Sequence, residues 1–134
     1  MNEQPEFPLE QVVGIGTDLL DSQRIVAALA RHGERFVKRI LTEREQQIYH
    51  QRADSLNFLA KRYAAKEALA KALGTGIAKG VGFQQLEVLA DDAGAPLVTL
   101  YGAAAERLQA LGGQKAFVSL SDEGDLIQAF SVLC

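Results

Sequence analysis

The chain has no tryptophan, one methionine, three prolines and a single cysteine, which is its last residue, Cys134. One cysteine excludes an internal disulfide and a four-thiolate metal site, so folding must rest on an ordinary hydrophobic core. No apolar run approaches the ~20 residues that a membrane-spanning helix needs. Residues 1–11 lack the basic start and apolar stretch of a secretory signal. A reduced, cytoplasmic protein with no membrane association is expected. Excess positive charge is also missing: 14 basic residues face 17 acidic ones, a net charge of −3. With no tryptophan and no aromatic pair beside a basic run, general nucleic-acid binding is excluded.

What is present fits one globular domain: 134 residues, of which 48% are hydrophobic and 23% charged. Charge is unevenly spread. Between Arg24 and Arg39 stand five basic residues (Arg24, Arg31, Arg35, Lys38, Arg39) against Glu34 alone, a local +4 that leaves −7 for the rest of the chain. Such a segment is either a solvated helix face or a surface for an anionic partner.

The pattern along the chain predicts one α+β domain over residues 12–134, preceded by a loose arm over residues 1–11 that contains Pro5 and Pro8. A glycine-broken strand, Val12 to Gly16, ends at Thr17-Asp18, and a helix capped by Asp21 or Ser22 runs to His32. A short basic helix covers Arg35 to Ile40. Thr42-Glu43-Arg44-Glu45 has the spacing of a capping box and starts a further helix to about Arg52. The longest helix, about Leu56 to Leu73, is rich in alanine, leucine and lysine and stops at Gly74-Thr75-Gly76. Leu86 to Leu89 and Leu97 to Tyr101 flank a hairpin turn, Ala103 to Leu111 is helical, and Ala116 to Leu120 and Leu126 to Leu133 alternate as antiparallel strands do.

Chemistry-bearing residues concentrate in two places. Asp18 follows a strand whose glycines leave room for close approach; it either caps the next helix or aims a carboxylate at a ligand. On the long helix, Phe58, Leu59, Tyr63, Leu69 and Leu73 form an apolar stripe, and Arg62 and Lys66 fall inside it. Buried cations need an anion or an escape to solvent. Glu67 and Lys71 are then either a surface pair one turn apart or, with Arg62 and Lys66, a carboxylate and three cations converging on a phosphate-bearing ligand. Two carboxylates on separate elements with cations nearby suit Mg²⁺, which takes its other positions from water and substrate phosphates. His32 and His50 read as surface residues, Cys134 has no base beside it, and Asp122, Glu123 and Asp125 read as a solvated turn.

These residues also form a recognisable set. GIGTD (Gly14 to Asp18), FVKRILTEREQQIY (Phe36 to Tyr49), RYAAKEALAKALGTGI (Arg62 to Ile77) and the run Val118 to Glu123 occur in one order along the chain. In this the chain resembles the holo-[acyl-carrier-protein] synthases, the small bacterial type of 4′-phosphopantetheinyl transferase. The resemblance implies a single domain with a long central helix packed on a small, mainly antiparallel sheet. It implies transfer of 4′-phosphopantetheine from coenzyme A to a serine of apo-acyl carrier protein, with adenosine 3′,5′-bisphosphate released. On matching positions it implies catalytic roles for Asp18, Glu67 and Lys71, with Asp18 and Glu67 as Mg²⁺ ligands. Arg62, Lys66, Lys71 and Gly74 would line the coenzyme A site, and Arg24, Arg31 and Arg35 would dock the acidic recognition helix of the carrier protein. A homotrimer with sites between subunits is implied as well. Many relatives carry a histidine where this chain has Asp122, so no proton-relay role is assigned there. A non-catalytic oligomer that holds a nucleotide or an acidic helix is the alternative; it leaves Glu67 without a purpose.

Overall fold

The computed structural model describes residues 11–134, so the expected arm, residues 1–11, lies outside the described residues apart from Gln11. The elements run β1 (Gly14–Asp21), α1 (Gln23–His32), α2 (Glu34–Ile40), α3 (Glu43–Gln51), α4 (Ser55–Ala72), a 3₁₀ turn (Phe83–Gln85), β2 (Leu86–Ala90), β3 (Pro96–Leu100), α5 (Gly102–Ala110), β4 (Ala116–Glu123) and β5 (Leu126–Leu133). Three strands form an antiparallel sheet in the order β1-β5-β4, and β2 and β3 form a separate antiparallel hairpin. The capping box is formed: the Thr42 side chain accepts from the Glu45 amide, and the Glu45 side chain accepts from the Thr42 amide.

The long helix α4 lies on the three-stranded sheet and is the centre of the core. It does not show one stripe. Phe58, Leu59, Ala60, Ala64, Ala65, Ala68, Leu69 and Ala70 are all buried, because sheet, hairpin and the smaller helices surround it. Its alanines permit backbone-to-backbone approach on the β1 side. There, side chains alternate, and Gly14, Gly16, Asp18 and Leu20 face the helix. A Cβ added at Gly16 would overlap the Ala68 carbonyl oxygen, and one at Gly14 the Ala72 carbonyl oxygen. Glycine is therefore required at both positions for α4 to seat against β1.

The first strand is longer than the sequence suggests. It does not end at Thr17-Asp18 but continues to Asp21, with Asp18 opposite Ala129 of β5 in the ladder. Asp18 is thus no helix cap; Ser22 occupies that position, and the Asp21 carboxylate accepts from the Gln23 amide at 2.9 Å. Asp122 and Glu123 lie within β4, not in a turn.

Among the described residues, no layer covers the outer face of the three-stranded sheet. Ile15, Leu19, Phe117, Leu126 and Phe130 are exposed there, Ile15 at 63% and Leu19 at 65%. The ladder register brings Ile15 and Phe117 to the two sides of Val132, and Thr17 and Ser119 to the two sides of Phe130.

Candidate active site

Asp18 reaches the helix because β1 and α4 touch through glycine and alanine. Its carboxylate accepts from Lys71 Nζ at 3.1 Å, and the same ammonium donates to the Thr17 carbonyl at 3.0 Å. The Asp18 side chain is only 15% exposed, whereas that of Lys71 is 51% exposed and opens the site to solvent. One helical turn before Lys71 stands Glu67. Burial pushes its carboxyl above the ordinary value, and the negative charge of Asp18 adds to the rise. Lys71, the Tyr63 hydroxyl and Arg24 act in the opposite sense without cancelling it. Tyr63 is itself pushed up by burial and then by Glu67.

A carboxyl raised by burial and by a neighbouring carboxylate marks a donor set short of positive charge. Lys71 alone does not restore the balance at Glu67. A hard divalent cation with free positions for water and phosphate oxygens fits the pair, since Mg²⁺ is commonly held by one or two carboxylates. Among the described residues no group of three or more His, Cys, Asp or Glu converges into a closed metal cage. The donor chemistry therefore matches an open Mg²⁺ site and does not match a structural metal.

Asp18, Glu67 and Lys71 thus come together, as expected, with Tyr63 and Arg24 beside them. Tyr63 was not expected as a site residue. Its place one turn before Glu67 was the available signal, but the same position also serves the apolar stripe.

The four-residue convergence on one ligand is not what the structure forms. Lys66 is completely buried, and its ammonium donates to Glu45 Oε1 at 2.6 Å, the Ile40 carbonyl at 2.7 Å and the Phe83 carbonyl at 3.0 Å. All three donors are used and no surface is left for a phosphate, so the role of Lys66 in holding coenzyme A is withdrawn for this structure. Burial lowers its pKa, and Glu45 works against that shift.

Arg62 is five residues from Glu67, about 140° away around the helix. Its guanidinium lies 4.5 Å from the Phe58 ring centroid, and its buried Nε has no partner among the described residues. Burial lowers the Arg62 pKa. Together with Arg52, Asn57 and Lys61 it lines a cavity of about 440 Å³ floored by Phe58 and β4. Lys61 is paired with Asp122 at 3.6 Å, and Asn57 donates to the other Asp122 oxygen at 3.3 Å. This is a second cationic site, on another face of α4.

Gly74, with φ of +77°, ends α4 in a conformation that other residues seldom adopt, and Arg107 donates to the Leu73 carbonyl at 2.8 Å beside it. Arg24 and Arg31 line a groove of about 710 Å³ between α1 and α2, with Phe36 and Arg39; Arg35 is exposed next to it. A further cavity, of about 810 Å³, lies between β3, α5 and β4 and contains none of the expected site residues.

Fold and site together define the class. The chain belongs to the 4′-phosphopantetheinyl transferase superfamily, whose family model matches residues 14–128. Within it, the chain is similar to the holo-[acyl-carrier-protein] synthase of Shewanella amazonensis, with 49% identity over 92% of this chain and 98% of the relative. It is similar in structure to the holo-[acyl-carrier-protein] synthase of Neisseria meningitidis, with a TM-score of 0.84 and 41% identity over 91% of this chain and 98% of that one. The enzyme of Helicobacter pylori, solved in complex with coenzyme A, superimposes with a TM-score of 0.78 at 28% identity, covering 90% of this chain and 99% of that one.

Proposed function

We propose that this chain is a cytoplasmic enzyme that transfers the 4′-phosphopantetheine group of coenzyme A to a serine of apo-acyl carrier protein. In the reaction the serine oxygen forms a bond to the phosphorus attached to pantetheine, the pyrophosphate bridge breaks, and adenosine 3′,5′-bisphosphate leaves. The serine hydroxyl loses its proton. The observation that carries this reading is the meeting of Asp18, Glu67 and Lys71 at the β1–α4 joint, in a chain that matches its synthase relative over 92% of its length.

In this reading Asp18 and Glu67 would hold Mg²⁺, which would supply neutralisation of the charge that develops on the phosphate oxygens of coenzyme A. Lys71, held by the Thr17 carbonyl and Asp18, places an ammonium beside the same phosphates. Gly74 keeps the end of α4 free of a side chain that would crowd the ligand. Arg62, with an unpaired Nε at a cavity that also contains Arg52 and Lys61, binds a phosphate of coenzyme A.

Arg62 and Glu67 lie on different faces of α4, so one subunit does not offer both to a single ligand. This supports a homotrimer in which each active site is shared between neighbouring subunits. The apolar outer face of β1, β5 and β4, uncovered among the described residues, supports association too, since monomers seldom leave such a surface open. The groove of Arg24 and Arg31, with Arg35 beside it, receives the acidic recognition helix of the carrier protein. Its proximity to Glu67, sensed through Arg24, sets the acceptor serine near the metal pair.

The test is intact-mass spectrometry of apo-acyl carrier protein incubated with the enzyme, coenzyme A and Mg²⁺, beside an EDTA control. A gain of one phosphopantetheine arm that EDTA abolishes is expected. No gain with any of several carrier proteins contradicts the proposal.

A further inference from the structure

The buried Lys66–Glu45 pair is not part of the ligand site, yet it joins more elements than any other polar contact described. Lys66 on α4 holds the last carbonyl of α2, at Ile40, and the Phe83 carbonyl of the 3₁₀ turn. Glu45 on α3 accepts from Lys66 and the Thr42 amide through Oε1, and from the Val88 amide of β2 through Oε2. Thr42 in turn donates to buried Glu87, which also accepts from Tyr101. Both charges are at 0% side-chain exposure and are fully hydrogen-bonded.

A pair of this kind is weak ground for stability. Well-packed apolar residues of the same volume often serve a fold as well or better. What charged hydrogen bonds supply and apolar contacts do not is direction. The direction here is specific. Ile40 follows Arg39, which lines the basic groove, and Lys66 precedes Glu67, the carboxylate of the β1–α4 joint. A single 2.7 Å bond therefore links the neighbour of a docking residue to the neighbour of a catalytic one.

We infer that the Lys66–Glu45 pair is a positioning device that fixes the α1–α2 docking surface in register with the catalytic centre, so that the acceptor serine arrives where the phosphorus is held. Lys66 and Glu45 are positioning residues and touch neither substrate. The inference rests on the docking reading given above. It separates the two substrates, because Asp18, Glu67 and Lys71 are assembled by β1 and α4 through Gly14 and Gly16, a contact in which the pair has no share.

The experiment is steady-state kinetics of the full chain with the double variant Lys66→Met/Glu45→Leu, which fills the volume and removes both charges. Carrier-protein kcat/KM is expected to fall by about tenfold or more, the scale of a misplacement of roughly 1 Å, while the KM for coenzyme A stays within about twofold of wild type. A loss that is only structural lowers the active fraction and leaves both KM values unchanged. Wild-type kinetics toward the carrier protein, or parallel damage to both substrates, overturns the inference. Thr42→Val provides a milder loosening of the same joint that keeps the ion pair, and it decides the matter if the double variant fails to fold. It is expected to raise the carrier-protein KM and to spare that of coenzyme A, and the absence of that split is equally fatal. Arg24→Glu, run alongside, isolates the docking reading: if it leaves the carrier-protein KM unchanged, that reading falls first. If Arg24→Glu raises it and neither joint variant does, only the positioning role falls.

Discussion

Gly16→Ala adds one methyl group at the point where the whole site is assembled. On β1 that methyl would be directed into α4, overlapping the Ala68 carbonyl oxygen and crowding the Ala72 amide nitrogen. Both obstacles are backbone atoms of a buried helix, so no rotamer change makes room. The helix must lift from the strand or the strand must bend. Overpacking of this kind costs about 1–3 kcal/mol, and backbone obstacles on two sides place Gly16→Ala near 3 kcal/mol. Against a total stability of roughly 5–15 kcal/mol, that is a large fraction. It corresponds to a fall in Tm of about 10 °C for a chain of this size. Lifting α4 also separates Lys71 from the Thr17 carbonyl and Asp18, so turnover should fall with stability. Gly82→Ala is the matched control: its φ of −124° suits any residue and nothing lies within 4 Å of the added carbon. Urea unfolding of both variants checks the argument. If Gly16→Ala unfolds within about 0.5 kcal/mol of wild type, as Gly82→Ala should, α4 is not seated by its backbone on β1 and the account of the joint is wrong.

Three further outcomes follow from the same geometry. Because the folded pKa of Glu67 is raised, the folded state binds more protons than the unfolded one between the ordinary and the raised values, and stability falls as pH climbs through that window. Glu67→Gln should therefore raise the Tm of the metal-free protein at neutral pH and change little near about pH 4, where the native residue is also largely neutral; equal gains at both pH values would refute the linkage. Phe130→Asp puts a charge at the centre of the sheet's outer face, and sedimentation velocity is expected to show trimers for wild type and monomers for the variant; a monomeric wild type removes the trimer proposal. Lys71→Met should lower turnover by about 100-fold with the fold intact, the scale of losing one stabilising donor, and wild-type turnover would remove Lys71 from the mechanism.

The elements with strong local chemistry were readable. Thr42 and Glu45 have the spacing of a capping box and form one; Gly74 stops α4 where a glycine stop was expected. What escaped depends on contacts between distant residues. Glu45 shows its capping role in four consecutive residues, but its second role needs Lys66, which arrives from another helix. The apolar neighbours of Lys66 said that its charge needed an anion, and an anionic ligand and a buried acid satisfy that demand equally. The strand extension to Asp21 was obscured because Asp18 and Asp21 favour turns and caps, and pairing with β5 overrode that preference. The separation of Arg62 from Glu67 was present in the helical spacing itself. The apolar outer face was visible in the pairs Leu19-Leu20 and Ala129-Phe130, which make both faces of a strand apolar, although nothing in the spacing says what covers the second face.

The most direct test of the central claim is turnover as a function of Mg²⁺ concentration, read by intact mass of the carrier protein, for wild type, Asp18→Asn and Glu67→Gln. Both variants keep the shape of the side chain and remove one charge from the pair. The account predicts Mg²⁺-dependent transfer by wild type, abolished by EDTA, and a loss of about 100-fold or more in each variant at a Mg²⁺ concentration that saturates wild type. Transfer by both variants at the wild-type rate and the wild-type Mg²⁺ concentration would contradict it, and the metal would have to be held elsewhere.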